Sequence, residues 1–96
     1  MLNMVIRWIA KEVGSPMQVR ELQVLRELGE SLRATQQTDD DAMAQFGMSP
    51  LISVEREKRA AFQAQYRRCG ELRISARWIR AFATPLYPGD LPPEAE

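Results

Sequence analysis

The sequence predicts an all-α fold: a small domain of four to five helices over residues 1–83, followed by a Pro-rich, extended and mobile tail over 84–96. Three observations predict it. Two Ser-Pro pairs, Ser15-Pro16 and Ser49-Pro50, each precede a stretch whose apolar residues recur at helical spacings. Serine accepts bonds from first-turn amides, and proline fits the first helical position. Both stretches are rich in strong helix formers, and four of the six prolines gather after residue 84, where no helix is expected.

A chain of 96 residues makes one domain, which buries roughly two-thirds of its unfolded surface. With 45% apolar and 27% charged residues the composition is that of an ordinary globular protein. So small a helical core is expected to be completed by a second copy, so a homodimer is expected, with the seam at 71–83.

Taken in order, Leu2, Val5, Ile6, Trp8, Ile9 and Val13 suit a short helix over 2–13 that Gly14 ends, although an edge strand also fits. Met17, Leu22, Val24, Leu25, Leu28 and Leu32 predict a helix over 16–34, with Arg20, Glu21, Arg26, Glu27 and Glu30 on its wet side. Gly29 on that stripe is suited to close approach of another helix. Thr35-Gln36-Gln37-Thr38 reads as a polar connection. Thr38 or Asp39 then caps a short helix with Asp40 and Asp41 in its first turn, Ala42, Met43 and Phe46 inward, and Gly47 as its stop.

From Pro50 the residues suit helix for more than thirty positions, but the apolar face moves. At about 100° per residue from Arg73, Leu51, Phe62, Tyr66 and Cys69 fall within about 60° of one another, whereas Leu72, Ile74, Trp78, Ile79 and Phe82 fall on another side. One straight helix cannot bury both faces against one neighbour. A break near Gly70 is therefore expected, giving helices of about 50–69 and 71–83, with 50–69 antiparallel to 16–34. The alternation of Leu72, Ile74, Ala76 and Trp78 with Arg73, Ser75 and Arg77 also fits a strand, so helix versus strand stays open for 72–80, helix being preferred. The core candidates are Trp8, Leu25, Leu28, Leu32, Phe62, Tyr66, Leu72, Trp78 and Ile79.

Composition excludes several chemistries. There is no histidine, and Cys69 is the single cysteine. An intramolecular disulfide is impossible and a thiolate-imidazole zinc site has no ligand set. Arg67 and Arg68 precede Cys69 and would favour its thiolate, but a small buried hydrophobe is the commoner role. Asp39-Asp40-Asp41 lacks the alternate oxygens, turn glycine and distal glutamate of a calcium loop. No catalytic residue, metal ligand or cofactor is assigned. The N-terminal apolar run, interrupted by Arg7, is too short for a signal peptide or a membrane span. The chain reads as complete and cytoplasmic, with no membrane partner.

Charge is uneven although the net is zero. Residues 1–48 sum to −2, 49–83 to +5 and 84–96 to −3. Glu55-Arg56-Glu57-Lys58-Arg59 carries charge on every side of a helix, a run expected to project past the core or to face an open groove. Arg73, Arg77 and Arg80 fall on one predicted face, Trp78 is near enough to stack, and these four are the candidate partner-binding residues. Arg56, Lys58, Arg59, Arg67 and Arg68 are candidate contacts to nucleic acid, and residues 39–59 fit a helix-turn-helix outline with Gly47 in the turn.

Two segments carry short family resemblances. Ala44-Gln45-Phe46-Gly47-Met48-Ser49-Pro50 resembles a segment of certain phage terminase small subunits, over seven residues. Gly14-Ser15-Pro16 with Val19-Arg20-Glu21 and Val24-Leu25 resembles the second helix of all-helical chorismate mutases, but Ala10 stands where that family carries a lysine. Neither span is long enough to assign a family. The sequence reading is a non-enzymatic regulator or adaptor of bacterial or phage type that docks a helical surface on a protein partner. Its alternative is a DNA-binding regulator using 39–59 or the 73–80 arginines.

Overall fold

A computed structural model describes residues 15–85 and 87–95. The helix expected over 2–13, with Trp8, lies outside the described residues. Within them the fold is all-α, with three α-helices and two short 3-10 turns and no strand. The expectation of four to five helices is corrected, chiefly because two predicted elements are one.

Helix α1 runs over Pro16–Phe46, 31 residues, about 46 Å of axis. Ser15 is extended at its N-cap, its Oγ accepts the Gln18 amide at 3.2 Å, and Pro16 occupies the first turn. Val19, Leu22, Leu25 and Leu32 form the buried stripe. The expected connection at 35–38 is helical instead. The Thr35 and Thr38 hydroxyls donate to the carbonyls of Ser31 and Ala34, one turn back, so these polar residues satisfy themselves inside the helix. Gly47, at φ 67°, ends α1 as expected, and its N–H donates to the Met43 carbonyl.

Helix α2 spans Ile52–Glu71. Ser49-Pro50 lies a turn ahead of it and does not cap it, a second correction. A carboxylate from α1 serves this end instead: Asp39 Oδ1 accepts the Leu51 amide at 3.1 Å. The helices run antiparallel, as expected, because Asp39 meets Leu51, Thr35 meets Lys58 and Glu21 meets Gln65. Residues 39–59 are thus the tip of a side-by-side hairpin, not the steeply crossed pair of a helix-turn-helix.

The register break falls two residues later than Gly70, which is itself helical. Leu72 and Arg73 turn, with Arg73 at φ 63° in the left-handed region, and α3 then runs over Ala76–Ala83. This resolves residues 76–83 as helix. Gln18 Nε2 holds the break by donating to the Leu72 carbonyl at 2.7 Å. Arg33 closes the other end of α3, donating to the Ala83 and Thr84 carbonyls, where a cation complements the helix dipole.

The core joins Leu22, Leu25, Leu32, Phe62, Tyr66, Cys69, Ile74, Ile79 and Ala83. Leu28, Leu72 and Trp78, expected in the core, pack half-buried at its edge. Gly29 makes the close approach expected of it: a Cβ there would sit 2.9 Å from the Ala83 carbonyl oxygen and 3.2 Å from Phe62 Cε1. The segment after α3, expected to be extended, folds into 3-10 turns at Pro88–Asp90 and Pro93–Ala95. It buries Asp90 and Pro92 against the hairpin. The reason is electrostatic: Asp90 accepts from Gln36 Nε2 at 2.8 Å and from Arg59 Nε at 3.0 Å.

Candidate functional site

Where α2 ends, the turn at 72–75 swings α3 away and leaves an open groove of about 560 Å³. Tyr66, Ile74, Ile79 and Pro92 supply apolar wall, and Gly70 and Ala76 leave it wide because neither has a bulky side chain. Arg67 and Arg80 flank it with Glu71 and Glu94. The C-terminal segment forms one side, held there by an ion pair between Arg67 Nε and Glu94 Oε1 and by the Asp90 clasp. That pair lowers the Glu94 carboxyl from its ordinary value and raises Arg67, each through the same hydrogen bond.

The opposite end of the hairpin carries a second apolar surface. Met43 and Phe46, three apart on the last turns of α1, stand beside Met48 in the connection and Ile52 at the start of α2. Phe46 is 71% exposed and Met48 60%. Most large apolar residues that a fold does not cover are scattered singly, whereas these crowd one tip. Asp40 and Asp41 lie on the same turns. Asp40 Oδ2 accepts the Tyr87 hydroxyl at 2.6 Å, which raises that phenol from its ordinary value and ties the C-terminal segment to α1.

The chain matches no family model, no curated protein and no solved structure. Its own geometry therefore carries the functional argument.

The candidate arginine row is divided by the fold. Arg77 and Arg80 are on α3, but Arg73 belongs to the turn before it and shares no helical face with them. The reason is the left-handed backbone at Arg73, which breaks the uniform rotation per residue on which that face was built. Trp78 is half-buried and tilts against Phe82, ring centroids 6.2 Å apart.

Of the five candidate nucleic-acid contacts, four are engaged within the chain. Lys58 Nζ donates to Thr35 Oγ1 at 2.7 Å, and Arg59 pairs with Glu55 and Asp90. Arg67 pairs with Glu94, and Arg68 Nε lies 3.1 Å from Glu21 Oε2. Arg56 is exposed. The charged run at 55–59 does not project beyond the core as expected, since Glu55, Lys58 and Arg59 turn into these contacts.

Cys69 is fully buried, and burial pushes its thiol up to about 11 with Glu21 adding to the effect, so its neighbouring arginines do not activate it. Hydrogen bonds from Gln65 and then Arg68 lower the Glu21 carboxyl. Among the described residues no three His, Cys, Asp or Glu side chains are grouped to hold a metal ion, and no helix is long and apolar enough to cross a membrane.

Sequence reasoning missed the Gln36–Asp90–Arg59 clasp. Pro88-Gly89-Asp90 signals a turn, but nothing local marks its carboxylate for burial. It also assigned Met43 and Phe46 to an inward face. They continue the face of α1 that buries Gln36 and Asp39, but they lie one and two turns past Asp39, the last buried residue of that helix, and stay exposed.

Proposed function

We propose that this chain is a non-enzymatic regulator or adaptor that acts by docking a helical surface onto a protein partner. The observation that carries the reading is the groove between α2, α3 and the C-terminal segment, with its apolar walls and flanking guanidinium groups. An occupant that fits it is a protein segment presenting apolar side chains together with carboxylates, since burial supplies affinity and, with Arg67 and Glu94 paired to each other, Arg73, Arg77 and Arg80 outnumber Glu71 along this edge. The internal pairing of Lys58, Arg59 and Arg68, none of which lines the groove, supports a protein partner over phosphate. A lone, buried thiol suits a reducing compartment, so the cytoplasm of a bacterial or phage-infected cell is the proposed setting.

The second reading is a DNA-binding regulator. It is favoured by the exposure of Arg56, Arg73 and Arg77. Its phosphate contacts would weaken steeply with salt. An NMR titration of the isotope-labelled full chain separates the readings, using an acidic amphipathic peptide, a basic one and a random DNA duplex. The acidic peptide is expected to move the amides of Tyr66, Gly70, Ile74 and Ile79. Duplex binding that collapses between about 50 and 200 mM salt, with those amides unmoved by the acidic peptide, would replace the first reading by the second.

A further inference from the structure

We infer that the segment this groove receives is the hairpin tip of a second copy of the same chain. The inference rests on the groove being a protein-docking site and names its occupant. The two surfaces have matching chemistry. The tip offers Phe46, Met43 and Met48 beside the carboxylates of Asp40 and Asp41. The groove offers apolar wall from Ile74, Ile79 and Pro92 between Arg67 and Arg80 and the carboxylates of Glu71 and Glu94, and the exposed Arg73 and Arg77 on the segment that forms its edge leave this end net positive. Charge at the two ends agrees, since the exposed Asp40 and Asp41 close α1 at the tip, whereas Arg67, Arg73, Arg77 and Arg80 gather at the groove end. Like copies attract when one runs opposite to the other and repel when they align.

The contact must form between copies. Tip and groove are held apart by the rigid rod of α2, where Ile52 to Arg67 spans about 22 Å, so a chain cannot fold its tip into its own groove. An antiparallel arrangement of two hairpins places each tip on the other's groove at once. That closes a two-fold dimer and leaves neither surface open to further chains. Phe46 serves as the anchor: a large ring, 71% exposed in the single chain, entering a groove kept open by Gly70 and Ala76.

Sedimentation equilibrium of the full chain tests this with two variants at exposed positions, Phe46→Ser at the tip and Ala76→Trp in the groove, each first shown by circular dichroism to keep wild-type helix content. The wild type is expected to dimerise, and each variant alone to weaken dimerisation by roughly tenfold or more. An equimolar mixture of the two variants still contains one intact tip facing one intact groove, so it is expected to regain association that neither variant shows alone. A wild type that stays monomeric, a dimer indifferent to both variants, or a mixture that regains nothing would each overturn the inference. Added salt should weaken the Asp41→Ala dimer less than the wild-type dimer. A monomeric wild type whose groove amides still respond to the acidic peptide would leave the docking site standing and remove only the second copy as its occupant.

Discussion

Gly29→Ala and Gly70→Ala are the same substitution in two helices, and the structure assigns them opposite signs. In an open helix, alanine is more stable than glycine by about 1 kcal/mol, because it loses less backbone freedom on folding. Nothing lies within 4 Å of a Cβ added at Gly70. There the gain stands nearly alone, reduced by the position in the last turn of α2, and a stabilisation of roughly 0.5 kcal/mol is expected. At Gly29 the added carbon meets the Ala83 carbonyl oxygen at 2.9 Å and Phe62 at 3.2 Å. The oxygen belongs to the backbone of α3 and is held by Arg33, so it cannot swing aside as a flexible side chain would. Overpacking of a close contact costs about 1–3 kcal/mol. Set against the helical gain, Gly29→Ala should be destabilised by roughly 1 kcal/mol. Urea unfolding followed by far-UV circular dichroism, at one fixed protomer concentration, measures both. A Gly29→Ala variant as stable as Gly70→Ala would refute the packing of α3 across Gly29 and with it the placement of the groove.

Asp90→Ala leaves the Gln36 amide buried without its acceptor and removes a carboxylate from Arg59, so a loss of about 3 kcal/mol is expected in the same urea assay. A change within experimental error would mean that the C-terminal segment does not clasp the hairpin. Ser15→Ala removes the side-chain acceptor for the Gln18 amide and should cost about 1 kcal/mol, whereas Ser49→Ala, which removes no side-chain cap, should be nearly neutral by thermal denaturation. Cys69 should resist alkylation at mildly alkaline pH until urea opens the fold, as measured by mass spectrometry; ready labelling of the folded chain would contradict its burial. Its folded thiol titrates at about 11 against an ordinary value of 9.0, so the unfolded chain releases its proton first. The stability this contributes is present below pH 9.0 and is lost as pH rises toward about 11.

The helical class, the start at Ser15-Pro16, the stop at Gly47, the close approach at Gly29 and the antiparallel hairpin were legible because each follows from local stereochemistry or from a periodic apolar stripe. The rest depended on partners distant in sequence. Thr35 to Thr38 look like a loop until Lys58 donates to Thr35 and Asp90 accepts from Gln36 across the fold, and then the two predicted helices become one. Ser49 looks like a cap until Asp39 takes that task from across the hairpin. The arginines of 56–68 look like a phosphate surface, but Glu21, Glu55, Asp90 and Glu94 engage most of them, and a list of charges cannot tell which acids will arrive.

By itself the sequence determined a helical chain without histidine, with one thiol, and with an apolar face that has to change direction after Cys69, since propensity, composition and periodicity are properties of neighbours along the chain. Only the tertiary structure decided where that change falls, which charges neutralise one another, and that a groove and an apolar tip stand at opposite ends of one hairpin. The reason is that each of these is a distance between residues far apart in sequence, set by how the helices pack.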